Sequence, residues 1–134
     1  MMNEAIRANI DNIRSADRTA QGEAFQALMA ASDEPVVWAY DAWDELLADL
    51  RDQDNRVRAI AAQVLCNLAK SDPKGRMLKD FDALLAATKD ERFVTARHCM
   101  QSLWKVGVAG PKQQKKYIRR VLMQMLLTLL IISD

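Results

Sequence analysis

Apolar residues in this chain recur three and four positions apart, the spacing that places side chains on one face of an α-helix. This spacing relates Ile6, Ile10 and Ile13 near the beginning, and it returns in the later apolar stretches. None of these stretches alternates apolar and polar residues as a half-buried β-strand does. The pattern therefore predicts an all-α protein.

Polar residues, glycines and prolines mark the ends of seven predicted helices. Asn3 and Asp17 precede the first two helices, where their side chains can accept hydrogen bonds from free backbone N–H groups. Pro35 suits the first turn of the third helix, and Gly110 with Pro111 separates the sixth helix from the last. The predicted helices cover approximately residues 3–15, 17–31, 35–50, 55–68, 79–88, 92–106 and 111–133.

The predicted helices form a repeating series. Apolar and polar residues return at a constant offset of 38 positions, with Leu46, Leu47, Gln63 and Leu65 corresponding to Leu84, Leu85, Gln101 and Leu103. A period of about 20–50 residues is typical of stacked supersecondary units. We therefore predict a single domain, 1–134, of helix pairs at about 3–32, 35–70 and 74–107, followed by a C-terminal helix at 111–133.

The segment from Asp54 to Leu65, DNRVRAIAAQVL, resembles the turn and second helix of the HEAT-repeat family and its armadillo-like relatives. The copy from Asp90 to Leu103 follows the same signature more loosely. The resemblance implies a right-handed α-solenoid of about three HEAT-like pairs plus a C-terminal helix, with the second helices lining a concave face. It also implies that Arg58 and Arg97 reach turn carboxylates of adjacent repeats. It implies no particular ligand.

The residue types that catalysis and metal binding require are scarce. His98 is the only histidine, which excludes a multi-histidine metal site and a His-paired nucleophile. Cys66 and Cys99 have apolar neighbours on helices, which predicts two buried free thiols in a reducing, cytoplasmic setting. No Gly-rich loop is present to bind phosphate. We therefore predict no metal, no cofactor and no enzymatic activity.

Polar residues of the second helices supply the predicted binding surface, because they are one helical turn apart and repeat at the 38-residue offset. The predicted partner-binding residues are Gln63, Asn67, Gln101, Lys105, Arg97 and Trp104. The sequence thus predicts a non-catalytic protein–protein interaction module that binds another protein in a preformed groove. No residue identifies that partner.

The three tryptophans have two interpretations. Trp38, Trp43 and Trp104 can pack between helices, or one of them can project from the groove as an aromatic anchor, a residue type enriched at interface hot spots. DNA glycosylases that excise alkylated purines also use HEAT-like repeats, with Trp, Asp and Arg in a cleft. The resemblance to those enzymes is at the level of the fold alone.

Charge is distributed unevenly along the chain. Residues 1–55 carry 4 Lys/Arg and 12 Asp/Glu, whereas residues 56–134 carry 15 and 6, so net charges of −8 and +9 nearly cancel. The densest basic patch comprises Lys112, Lys115, Lys116, Arg119 and Arg120. Clustered cations favour phosphate backbones, so nucleic-acid binding through the basic C-terminal half is the alternative function. An acidic protein surface or a solvated helix start fits the same cluster.

The last helix is apolar on nearly every face from Val121 to Ile132. This stretch is shorter than the roughly 20 residues of a transmembrane helix, so no membrane span is predicted. Three interpretations remain open, namely burial against the third helix pair, pairing with another chain, and peripheral insertion into a membrane surface. Pairing predicts a homodimer with Leu126 and Leu130 at its contact. The same stretch also suits the first helix of a further repeat.

Overall fold

The structure, a computed structural model, describes residues 2–133, with the side chains at 129 and 131–133 outside the description. Over residues 2–133 the chain is mostly helical and contains no strand, which confirms the all-α prediction. The helices are α1 (Glu4–Asn12), α2 (Arg18–Ala31), α3 (Ala39–Asp49), α4 (Asn55–Leu68), α5 (Arg76–Ala87), α6 (Phe93–Ser102), α7 (Trp104–Gly107) and α8 (Pro111–Ser133). A 3₁₀ turn, Ala69–Ser71, follows α4.

Side chains cap several of these helices. Asn3, Asp17 and Asp54 each accept a hydrogen bond of 2.9 Å from a backbone N–H in the first turn of α1, α2 and α4, respectively. Asp72 binds two N–H groups of α5, at 2.7 Å each. These bonds satisfy donors that have no partner within the helix. The capping predicted for Asn3 and Asp17 is confirmed.

Helices that follow one another along the chain pack in pairs, α1 with α2, α3 with α4, and α5 with α6. α4 also contacts both α2 and α6, so it lies between them, and α8 contacts α5 and α7. Large apolar side chains from several helices are fully buried, among them Leu28, Trp43, Leu65, Phe81 and Leu103. Burying each such side chain contributes about 1.5–3 kcal/mol, so this shared core holds the helices together.

The third helix begins later than predicted. α3 starts at Ala39 rather than at Pro35. The backbone N–H of Val36 donates a hydrogen bond of 2.8 Å to Ser71 Oγ, a contact from the far end of α4. This long-range bond holds the segment after Pro35 against the 3₁₀ turn and out of the helix.

The predicted sixth helix is divided into α6 and α7. The hydroxyl of Ser102 donates to the carbonyl oxygen of His98 at 3.0 Å, one helical turn earlier. Such bonds compete with the backbone ladder and bend helices. The fifth helix also differs slightly, since α5 begins at Arg76 instead of near Lys79.

An arginine on one helix pair binds a turn carboxylate of the next pair at two places. Arg18 lies 3.0 Å from Asp54, and Arg58 binds both carboxylate oxygens of Asp90 at 2.7 and 3.1 Å. The role implied for Arg58 is therefore confirmed. The same role for Arg97 is not observed, because no described carboxylate lies within 4 Å of its guanidinium, which lies 5.9 Å from the ring centre of Phe93.

Close contact between α7 and α8 depends on a glycine. A Cβ atom on Gly107 would lie 2.6 Å from Cδ1 of Tyr117, so only glycine leaves room for the ring. Lys116 Nζ also donates to the carbonyl oxygen of Leu78 at 3.1 Å, which joins α8 to α5. The first half of α8 is thus fixed to the body of the protein.

Candidate functional site

The side chains that could perform chemistry are not assembled into a reactive centre. Both cysteines are free and buried. Burial raises the pKa of Cys66 far above its usual value and that of Cys99 to about 12, so both remain protonated thiols. Over the described part of the chain, no three His, Cys, Asp or Glu side chains are placed to hold a metal ion.

The outward side of α6 and α7 carries large exposed side chains, and we call it the α6–α7 face. Its members share one helical stripe, spaced three or four residues apart: Phe93, Arg97, Met100, Gln101, Trp104 and Val108. Phe93, Trp104 and Val108 are 76%, 55% and 68% exposed, respectively. Contiguous exposed apolar surface of this kind is unusual on a monomer unless it meets a partner.

The opposite side of the same two helices faces the core. Thr95, Cys99, Leu103 and Val106 are all buried there, and Thr95 Oγ1 accepts a hydrogen bond of 3.3 Å from the amide of Asn55 on α4. The helices are therefore firmly seated by their inner side. Their outer side chains are presented on a rigid support.

The corresponding face of α4 has a different composition. At the 38-residue offset, Arg97, Met100 and Trp104 correspond to Ala59, Ala62 and Cys66, each of which is buried. Those small residues lie on the side of α4 against which α6 packs. The α6–α7 face therefore bears bulky, exposed side chains at the positions where α4 bears small, buried ones.

Two cations flank the aromatic rings of this face. The guanidinium of Arg97 lies 5.9 Å from the ring centre of Phe93, and the ammonium of Lys105 lies 5.9 Å from the ring centre of Trp104. Both distances are within reach of a cation–π attraction. The face therefore combines apolar surface with positive charge.

The predicted contact residues divide between three environments. Gln101, Arg97 and Trp104 lie together on the α6–α7 face, where all three are exposed. Gln63 is half-buried on α4 and donates a hydrogen bond of 3.0 Å to the carbonyl oxygen of Ala59. It therefore lies apart from the other three.

The prediction that Asn67 lies on the binding surface is wrong, because this residue is only 2% exposed. Its amide donates to Ser32 Oγ at 3.1 Å, and its carbonyl oxygen accepts a hydrogen bond of 2.6 Å from Lys105 Nζ. The two residues predicted to bind an outside partner at equivalent positions thus bind each other. Asn67 joins α2, α4 and α7 and is not accessible.

The three tryptophans are divided between the core and the exposed face. Trp38 and Trp43 are buried between helices, whereas Trp104 projects outward.

Sequence reasoning missed Phe93, Met100 and Val108. For Met100, a comparison of residue sizes at the 38-residue offset is the signal that could have found it, since it corresponds to the small residue Ala62 of α4.

The predicted basic patch lies along the first half of α8. Its five cations line a groove of about 490 Å³ beside Leu78 of α5. Lys116 and Arg120 lie 3.9 and 3.7 Å from Asp82, whereas Lys112, Lys115 and Arg119 have no described carboxylate within 4 Å. Three cations of the patch are therefore available to an anionic partner.

The predicted oligomer contacts lie on the second half of α8. Leu126 and Leu130 are 58% and 64% exposed, so burial of this half against the third helix pair is not observed. Pairing of two chains through it stays a prediction. None of the helices described over residues 2–133 combines the length and the hydropathy that crossing a bilayer would take.

Comparison with models of protein families, with curated protein sequences and with solved structures finds no match for this chain.

Proposed function

We propose that this protein is a non-catalytic protein–protein interaction module that binds its partner on the α6–α7 face. The observation that carries the proposal is the exposure of Phe93, Met100, Trp104 and Val108 along one stripe. Each of these side chains loses contact with water only if another molecule covers it. Covering that apolar area is the main source of favourable free energy in most protein association.

The composition of the face supports a protein partner. Aromatic residues, Met and Arg are enriched at protein interfaces, and Trp and Arg are the types most often found to dominate binding energy. Trp104 is the natural central anchor, with Arg97 and Gln101 one or two turns away on the same face. The positive charge of Arg97 favours a partner that carries a carboxylate next to its apolar residues.

We also infer that the helix pairs form a short right-handed α-solenoid of the HEAT type. The pairwise contacts of α1 to α6 support this arrangement, as do the two arginine–carboxylate bonds between successive pairs. In such a stack the α6–α7 face is the outer side of the third helix pair. A preformed surface on rigid helices needs little reorganisation to bind, which reduces the entropy lost on association.

Capture from an extract of the source cell would test this function. We would compare the unaltered protein, a Phe93→Ser/Trp104→Ser variant and a Val37→Ser variant, which alters an apolar residue that is 88% exposed elsewhere. Because the altered positions are exposed, all three proteins should fold alike. We expect one or a few proteins to be retained by the unaltered protein and by Val37→Ser, and to be lost with Phe93→Ser/Trp104→Ser.

The contribution expected from the positive charge of Arg97 can be tested with a matched control variant. Arg97→Glu should weaken retention of the same partner more than Arg51→Glu does, because only Arg97 lies on the face. If all variants retain the same proteins equally, the α6–α7 face is not the binding surface and the proposal is wrong.

A further inference from the structure

The two halves of α8 meet very different surroundings. Tyr117 and Val121 pack against the core, and Gln113 Nε2 donates to Asp72 at 3.1 Å, so the first half is attached to the body. Beyond Val121 the described apolar side chains are exposed, from 48% for Leu127 to 64% for Leu130. The second half therefore extends along the protein surface without being covered by it.

The second half of α8 turns its polar side toward the protein and its apolar side outward, which is the reverse of an ordinary surface helix. The helical row that begins with the packed residues Tyr117 and Val121 continues with the polar residues Gln124 and Thr128. Leu122, Met125 and Leu126 lie exposed on the outward side, whereas Met123 and Leu127 border a groove beside Leu85 and Lys89 of the body. Surface helices normally bury the apolar side and expose the polar one. The outward side of α8 is thus matched to an apolar environment outside the protein.

Cations precede these apolar residues on the same stripe. Lys112, Lys115 and Arg119 lie three and four residues apart, and the row continues through Leu122 and Leu126. One side of α8 is therefore cationic over its first turns and apolar over its later turns. The chain has no Asp or Glu between Arg92 and Ser133, so nothing on α8 itself neutralises this charge.

This charge pattern discriminates between a second copy of the chain and a lipid surface. Two copies of α8 in parallel would bring their cations together, and two antiparallel copies would press the cations of one against the leucines of the other. An anionic lipid surface offers phosphate and carboxylate headgroups to the cations and acyl chains to the leucines. We propose that α8 attaches this protein peripherally to anionic membrane surfaces.

The stripe fixes the orientation of α8 in such an attachment. An amphipathic helix lies in the plane of the interface, with its apolar side about 5–10 Å deep at the boundary between headgroups and acyl chains. Leu122 and Leu126 reach this boundary, Lys115 and Arg119 stay at the level of the headgroups, and Gln124 and Thr128 remain on the side away from the lipid. This attachment uses a different surface from the α6–α7 face and does not depend on the function proposed for that face.

Flotation with lipid vesicles tests the attachment. Vesicles of phosphatidylcholine with about 30% phosphatidylserine would be compared with vesicles of phosphatidylcholine alone, using the full chain at about 0.15 M salt. We expect at least about tenfold stronger binding to the anionic vesicles, and a marked loss of that binding at about 0.5 M salt, because surface charges are screened there.

Two α8 variants and two matched control variants test which residues of the protein bind the vesicles. Leu122→Ser/Leu126→Ser and Lys112→Gln/Lys115→Gln/Arg119→Gln should each weaken vesicle binding by about tenfold or more. The controls change exposed residues elsewhere in equal number and kind, and they are Val37→Ser/Val94→Ser and Arg51→Gln/Arg56→Gln/Lys74→Gln. Each control should bind vesicles like the unaltered protein, and circular dichroism should show all variants folded.

A probe on α8 separates insertion from mere electrostatic contact. Because both native cysteines are buried, Leu126→Cys can be labelled selectively with a fluorophore whose emission shifts to the blue in apolar surroundings. Anionic vesicles should produce that shift, and duplex DNA or single-stranded RNA should not.

Three results would overturn the proposal. The first is equal binding to anionic and neutral vesicles, or no binding to either. The second is tight, salt-sensitive binding to nucleic acid with no blue shift on vesicles, which would assign the cations to a nucleic-acid interface. The third is a dimer in dilute solution that Leu126→Glu/Leu130→Glu converts to soluble monomers, which would show that a second copy covers α8.

Discussion

α4 and α6 occupy the same position in successive helix pairs, yet they differ in what covers them. α4 has helices on both sides and is buried along nearly its whole length, whereas α6 is buried on one side only. On the inner side, Leu65 of α4 is equivalent to Leu103, which directly follows α6, and both are fully buried. The outer sides of the two helices differ, with Ala62 replaced by Met100 at the equivalent place.

This difference teaches that the period of a repeat predicts where a residue lies on its helix but not what covers it. Gln63 and Gln101 have equivalent positions, but the neighbours of α4 leave Gln63 half-buried, while Gln101 is exposed. Whether a side chain at a repeat position is buried or exposed therefore depends on which helix packs next to it.

The largest expected effect concerns the side that both helices share. Leu65→Ala and Leu103→Ala should each lower the free energy of unfolding by about 2–5 kcal/mol, because each leaves a cavity in a closed core. Urea unfolding followed by circular dichroism measures this. A cost below about 1 kcal/mol for Leu103→Ala alone would mean that α6 is loosely seated, which would break the comparison.

The next effect concerns the arginines. Arg58→Ala should lower the free energy of unfolding by about 1.5–3 kcal/mol, because it removes charge-assisted hydrogen bonds to Asp90. Arg97→Ala should change it by no more than about 0.5 kcal/mol, because the exposed guanidinium binds no described carboxylate. Equal costs for both variants would show that Arg97 has a structural partner after all.

The same ion pair makes stability depend on pH. The hydrogen bonds from Arg58 lower the pKa of Asp90 below its usual value. Its contribution to stability is therefore present above the unfolded pKa of about 3.9 and is lost as the pH falls through the folded value. We expect the stability difference between the unaltered protein and Asp90→Asn to shrink on acidification below about pH 4, as measured by urea unfolding at several pH values. A difference that stays constant down to the lowest pH at which the protein folds would contradict this assignment.

Exchanging Ala62 of α4 and Met100 of α6 tests whether the outer side of α4 is covered and that of α6 is not. Ala62→Met should lower the free energy of unfolding by about 1–3 kcal/mol, because the added atoms must fit between α4 and α6. Met100→Ala removes an exposed side chain and should change it by no more than about 0.5 kcal/mol. Thermal unfolding of the two variants compares them directly, and a stable Ala62→Met protein would show that α4 has unused space.

The smallest expected effects belong to Gln63→Ala and Gln101→Ala, each within about 0.5 kcal/mol in the same unfolding measurements. A larger cost for Gln63→Ala alone would mean that its bond to the carbonyl oxygen of Ala59 stabilises α4. A cost as large as that of the leucines for either variant would mean that the assignment of inner and outer sides is wrong.

Local patterns were sufficient to predict that the protein is all-α and that Asn3 and Asp17 cap its first two helices. Asn3 and Asp17 cap as predicted, because a cap needs only a side-chain oxygen and the N–H groups two or three residues later. The start of α3 could not be predicted in this way, since it depends on a bond between Val36 and Ser71, which are far apart in sequence. Tertiary contacts decide such boundaries.

The candidate site was predictable only in part, for a related reason. Arg97 and Trp104 were identified from their position on a repeat helix. Asn67 was misassigned, because a polar residue between two apolar stripes can face water or a neighbouring helix, and only the position of Lys105 decides between them. Phe93 was missed because a large apolar residue suggests burial, and its 76% exposure is visible only in the folded structure.

The buried thiols make each of these two helices observable separately. Cys66 lies in α4 and Cys99 in α6, and neither can react with a thiol reagent until its helix opens and the thiolate forms. When closing is faster than modification, the rate of labelling reports the population of the open form. Since α6 is covered on one side only, Cys99 should be labelled first, and the ratio of the two rates measures how much more often the end helix detaches than the middle one.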